Sequence, residues 1–167
     1  MRTADTQETT RILKGGGVVI FPTDTVWGMG AAISNRDGIE KFYRIKGREE
    51  NKPTAVLVAD INMANRYGVM GKQARMLATK YWPGALTIVV KAKGNKVFKL
   101  VRGGGGTVGL RAPDHPVTLE LIKMLGEGMV TGSANFAGEP APLKRGELDP
   151  ELVKLVDMVM EGECGEQ

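Results

Sequence analysis

Four short stretches of this 167-residue chain combine hydroxyl, amide and cationic side chains in patterns that packing alone does not require. Lys46-Gly47-Arg48, followed by Lys52-Pro53, brings three cations within seven residues. Such a group can simply complement the C-terminal end of a helix. It can also clamp a polyphosphate, with arginine offering a planar fork and lysine a point charge. Pro22-Thr23-Asp24-Thr25-Val26-Trp27-Gly28 directly follows an apolar run. It reads either as a Pro/Asp turn with Trp27 filling the core, or as hydroxyls presented to a crevice at a strand end. Thr131-Gly132-Ser133-Ala134-Asn135 follows another apolar run in the same way. Gly103–Gly106 leads into Thr107 and then Arg111. Four consecutive glycines read as a mobile loop or lid. Arg111, among apolar neighbours, needs either a carboxylate of the protein or an anionic ligand.

The better-known catalytic patterns fit poorly. Gly104 to Gly109 spells G-x-G-x-x-G, but a strand pattern follows it where a dinucleotide site needs a helix. Gly71-Lys72 lacks the hydroxyl residue and upstream glycine of a phosphate loop, and Gly132-Ser133-Ala134-Asn135 lacks the second glycine of a nucleophile elbow. The single histidine, His115, lies between Pro113-Asp114 and Pro116 and reads as a surface-loop residue, so a Ser-His-Asp system is disfavoured. One histidine and one cysteine, Cys164, exclude an internal disulfide and any multi-histidine or multi-cysteine metal site.

The elements that must hold these residues follow from periodicity. Helices are predicted over 5–14, from a cap at Ser34 or Asn35 through Ile45, after Asp60, over 72–81, over 117–125 and after Asp149-Pro150. In the 72–81 helix, Ala74, Leu77, Ala78 and Tyr81 share one side, and Pro83 stops it. Strands are predicted at 18–21, 54–59, 86–90, 107–112, 129–131 and 157–160. Strands and helices alternate without a strict β-α-β rhythm. The fold class is therefore α/β or α+β, a mixed sheet with helices packed on it.

The length suits a single domain over residues 1–167. Hydrophobic residues at 42% and charged residues at 25% match an ordinary globular chain. No apolar run is long enough for a bilayer, and MRTADTQETT lacks a signal-peptide core, so no membrane association and a cytoplasmic location are expected. A net charge of +4 favours an anionic ligand without identifying a nucleic-acid binder. Aromatic content of 5% argues against a base-stacking platform.

Together, GGGVVIFPTDTVWGMGA, KGR…KP, YWPGALTIVV, VGLRAPDHP and TGSANFAGEPAP resemble the YrdC-domain family in order and approximate spacing, over about residues 13–160. The resemblance implies a twisted, mostly mixed sheet curled around a basic cleft. It also implies a nucleotidyltransferase that makes threonylcarbamoyl-AMP and pyrophosphate from L-threonine, bicarbonate or carbon dioxide, and ATP. That product feeds the machinery placing threonylcarbamoyl groups on tRNA. Carried over to this chain, Lys46 and Arg48 are the K-x-R pair expected to be catalytic. They bind ATP together with Lys52, Thr107, Ser133 and Asn135. Thr23, Thr25, Arg111 and Thr131 fall where the family holds threonine.

The implied chemistry needs no side-chain nucleophile. A carbamate is already anionic, so the protein must position two anions and stabilise charge on phosphate. No protein metal site is expected, and magnesium would be carried by the triphosphate. Leu57 takes a position at which some members carry a histidine. The family's next strand, containing Ser-Thr, and a following arginine segment are expected beyond Gln167. That expectation motivates an alternative: a catalytically degenerate nucleotide- or RNA-binding module with contacts to tRNA or duplex RNA.

Overall fold

Apolar triplets too short to be stable alone become strands here because each finds partners on both sides. The computed structural model describes residues 3–165, which form one seven-stranded mixed sheet flanked by helices. Its centre is β6 (Met129–Ser133), antiparallel both to β2 (Gly28–Ala32) and to β3 (Ala55–Leu57). Outward from β2 lie β1 (Val19–Phe21) and the parallel β7 (Met158–Val159). Outward from β3 lie the parallel β5 (Thr107–Arg111) and the antiparallel edge strand β4 (Ile88–Lys91).

β2 is the element that sequence periodicity misses. Its residues, GMGAA, have little intrinsic preference for a strand, yet all five are buried between two hydrogen-bonded neighbours. Small residues are required there. A Cβ on Gly28 would stand 2.8 Å from the Phe21 ring, and one on Gly30 would stand 2.5 Å from the carbonyl oxygen of Val130.

Register assigns the faces, because residues directly opposite one another point the same way. Ile20, Met29, Val130, Val56 and Leu110 face α2 (Arg36–Lys46), whose Ile39 and Phe42 complete a dry core with Trp27 and Tyr43. On the opposite face, Val19, Phe21, Ala32, Leu57 and Met129 pack under α1 (Thr3–Lys14) and α5 (Pro116–Leu125), through Leu13, Leu121, Ile122 and Leu125. The same face continues through Thr131, Ser133, Ala55, Thr107, Gly109 and Arg111. There the floor is small or polar, and only Thr131 of these six is buried.

Caps work largely as the sequence implies. Asn35 accepts from the N–H of Gly38 at the start of α2, and Asp60 accepts from Met63 at the start of α3 (Ile61–Tyr67). Asp149 caps α6 (Pro150–Leu155). Ser34 instead hydrogen-bonds Glu127. Asp157 ties the far edge, accepting from Val18 N at 2.7 Å and from Lys41 Nζ at 2.6 Å.

Three expectations need correction. In α4 (Lys72–Tyr81) the stripe is not wholly inward, since Ala78 is buried but Leu77 and Tyr81 are exposed. The helix lies beside the edge strand β4, where only one flank finds a partner. The Gly103–Gly106 segment is not an open loop. Gly103 and Gly104 have positive φ, and Gly103, Gly104 and Gly105 donate in succession to Leu100, Lys99 and Arg102. Arg102 in turn donates to Gly105 O at 2.6 Å. Finally, His115 is buried at the start of α5, with Nε2 2.9 Å from Glu163 O, because the segment after β7 runs over it. No helix of the described residues is long and apolar enough to cross a membrane.

Gly30→Ala tests the close strand approach. It is expected to cost about 2 kcal/mol, lowering the thermal midpoint by on the order of 5 °C. An unchanged midpoint would mean that β2 and β6 have room to part.

Candidate active site

Helix α2 ends at Gly47, whose left-handed φ of 64° reverses the chain and leaves Lys46 and Arg48 on different sides of the turn. Lys46 runs inward beneath β6. Gly132 makes this possible, since a Cβ there would lie 3.2 Å from Lys46 Cε. The ammonium emerges at the end of β6, where it donates to Ser133 O at 2.6 Å and Asn135 O at 3.1 Å. Asn135 Oδ1 at 3.2 Å and Ser133 Oγ at 3.4 Å complete the ring of oxygens. Lys46 is only 4% exposed. Burial, with a smaller push from the Arg48 charge, lowers its pKa to about 8. It therefore remains mainly charged at neutral pH.

Arg48 turns the other way. Its guanidinium donates to the carbonyls of Lys52 and Pro53 and so braces the entry to β3. Lys52 pairs with Glu49 at 2.9 Å, with both side chains more than half exposed. Such a pair adds little stability. Thr107 is exposed at the start of β5, opposite Lys91.

A second cluster forms around the β1–β2 connection. The hydroxyl of Thr23 accepts from the N–H groups of Thr25 and Val26 and donates to Val26 O at 2.7 Å, so a single side chain shapes the turn. Arg111 reaches this turn from β5. It donates through Nη1 to Thr25 Oγ1 at 3.3 Å, through Nε to Gly84 O at 3.1 Å and through Nη2 to the carboxylate of Asp24. The Arg111–Asp24 pair is largely withdrawn from water, at 15% and 12% exposure. Of the two partners that the sequence leaves open for Arg111, the protein carboxylate is present. Asp24 is a functional candidate that sequence reasoning passed over. Its signal was a lone acid between two threonines, with an unpaired arginine elsewhere in the chain.

Thr131 joins the clusters from below. Its hydroxyl donates to Met29 O at 3.2 Å, and its carbonyl accepts from the hydroxyl of Thr54. A ligand could meet that hydroxyl only as an acceptor. Register puts Thr131 on the same sheet face as Ser133, Thr107 and Arg111. Lys46 itself comes from the opposite, α2 face and meets Ser133 only at the end of β6. Charge is uneven between the clusters: among the described residues Lys46 and Arg48 have no carboxylate partner, whereas Asp24 offsets Arg111.

Lys46→Met isolates the structural part of the ammonium's work. It removes the donor while leaving Ser133 O and Asn135 O in place, so it is expected to destabilise the fold by about 2 kcal/mol. A melting curve matching the wild type would show that water replaces the ammonium at no cost.

Known proteins share this architecture. The Sua5/YciO/YrdC family model, described as "Telomere recombination", matches residues 11–167. The chain is 38% identical to a Bacillus subtilis protein named threonylcarbamoyl-AMP synthase, covering 87% of this chain and 44% of that protein. It is 34% identical to the protein of the same name from Stenotrophomonas maltophilia, covering 92% and 83%. The crystal structure of P. abyssi Sua5 complexed with L-threonine superposes with a TM-score of 0.88 at 26% identity, over 95% of this chain and 46% of that one. This chain thus spans under half the length of two of these three relatives. With the family model matched over residues 11–167 and relatives 34–38% identical over most of the chain, the chain belongs to the Sua5/YciO/YrdC family.

Proposed function

We propose that residues 1–167 form a single YrdC-like catalytic unit that makes L-threonylcarbamoyl-AMP and pyrophosphate from L-threonine, bicarbonate or carbon dioxide, and ATP. The observation that carries this reading is that the Lys46 ammonium meets Ser133 at the end of β6, while Ser133 shares one sheet face with Thr131, Thr107 and Arg111. The fold is one whose relatives carry the synthase name.

Threonine enters as its zwitterion; the ammonium gives up a proton to water, and the free amine adds to carbon dioxide to form the carbamate. A carbamate oxygen attacks the α-phosphorus of ATP, the new P–O bond forms, and the bond to pyrophosphate breaks. No side chain has to become covalent. In this reading Lys46 acts through its charge, because its protons are already directed at Ser133 and Asn135. By holding those two residues it also shapes the nucleotide side. Arg48, whose Nη1 has no partner among the described residues, supplies the donor there, with Lys52 and Thr107 at the margin. Arg111, with Thr23, Thr25 and Thr131 around it, receives the threonine carboxylate.

The donor set does not offer a cage for magnesium. Asp24 is committed to Arg111, and among the described residues no three His, Cys, Asp or Glu side chains gather. Magnesium would be held by the phosphates of ATP and supply charge neutralisation there. The product would pass to the machinery that modifies tRNA, placing the chain in the cytoplasm with transient tRNA contact.

The test is direct. Labelled L-threonine or bicarbonate, incubated with the purified chain, ATP and magnesium, is expected to yield the adenylate and pyrophosphate. ATP binding without product would favour a degenerate nucleotide-binding module instead. Arg48→Ala is expected to reduce turnover about 100-fold if it stabilises phosphate charge in the transition state.

Lys46 adds a pH signature. Its lowered pKa of about 8 means that the free site loses its positive charge as pH rises through that value. A bound triphosphate favours the charged form and raises the pKa again. ATP binding near pH 8.5 is therefore expected to take up protons, whereas binding near pH 6.5 is not. Calorimetry in buffers of different ionisation enthalpy reads this difference. Equal proton uptake at the two pH values would remove Lys46 from the nucleotide side.

A further inference from the structure

An arginine meant only for a carboxylate has no need of a buried acid beside it. Asp24 largely cancels the charge that would attract an anion, and the pair is nearly withdrawn from solvent. Its presence makes physical sense if the ligand is itself neutral overall. We propose that Asp24 is the specificity-determining residue for the α-ammonium of the amino-acid substrate, forming with Arg111 a clamp for a zwitterion. This inference rests on the reading that the Arg111 cluster holds threonine, and it deepens that reading.

The hydrogen-bond directions support the assignment. Thr23 has one hydroxyl proton, directed at Val26 O, and its two lone pairs already receive the N–H groups of Thr25 and Val26. The Thr25 hydroxyl, 3.1 Å away, accepts from Arg111 Nη1 and has one lone pair left. Asp24 contributes Oδ1 to Arg111, and among the described residues nothing donates to its Oδ2. The turn thus presents acceptors: a carboxylate oxygen and a hydroxyl lone pair. Arg111 has one N–H left on each terminal nitrogen after its three contacts. Two donors beside two acceptors complement a carboxylate with an ammonium one carbon away.

The arrangement also discriminates. The neighbouring cationic end must attract phosphates. A bare Arg111 would draw the same anions into the amino-acid position, and an adjacent carboxylate repels them.

The experiment compares ligands before it compares variants. Isothermal titration of the wild-type chain with L-threonine and with 2,3-dihydroxybutanoate, its analogue with hydroxyl in place of ammonium, is expected to show the hydroxy acid about 10-fold weaker or worse. In Asp24→Asn that discrimination should collapse and inorganic phosphate should compete more strongly. Asp24→Glu, which restores the charge, should recover part of the discrimination. A merely structural Asp24 would weaken both ligands alike. Equal binding of the two acids by the wild type overturns the proposal without any variant, so a poorly folded Asp24→Asn does not shelter it. Full discrimination retained in Asp24→Asn overturns it as well, while leaving the threonine reading intact. A wild type that binds no α-amino acid overturns the threonine reading itself.

Discussion

A nearly buried ammonium stays charged only if oxygens surround it, and Lys46 finds four of them at the end of β6. That contact fixes the end of α2 against the end of the central strand. It also sets the course of the following turn, where Ala137 N–H donates back to Lys46 O. Ser133 and Asn135 are thereby placed beside the cationic turn at Gly47. The same burial that makes the lysine a good anchor brings its pKa to about 8, so anchoring and titration are two results of one desolvation.

The Arg111 cluster follows a different logic. Arg111 is held by a backbone carbonyl, a hydroxyl and a carboxylate, and the Thr23 turn holds the last two. In the proposed reaction a triphosphate and a zwitterionic amino acid bind side by side. A uniformly positive site would draw the triphosphate to both positions. A cationic cluster beside a nearly neutral one would sort the two ligands by charge, before shape contributes.

Much of this was legible in the residues. Helix boundaries at Asn35, Asp60 and Asp149 are readable because a capping side chain acts on its nearest backbone. The buried strands at Val19–Phe21 and from Met129 to Thr131 are readable because apolar runs bounded by glycine or proline leave few alternatives, although β6 continues through Gly132 to Ser133. β2 was not legible. Gly28 to Ala32 form a strand because Phe21 and Val130 crowd them from either side, and only the assembled sheet contains that pressure. Leu77 and Tyr81 misled for the converse reason: helical spacing marks a stripe, but at a sheet edge there is too little surface to cover it.

The sequence by itself determined which residue types were available: three cations around one turn, hydroxyls after two apolar runs, and an arginine that required a partner. Local chemistry acts within a few residues of the chain, so it reads out at that range. Tertiary structure alone decided that Arg111 meets Asp24, 87 positions away, and that His115 is buried under the segment after β7. It also decided that the oxygens around Lys46 come from residues 133 and 135. Those pairings depend on strand order and register, which no short window of sequence contains.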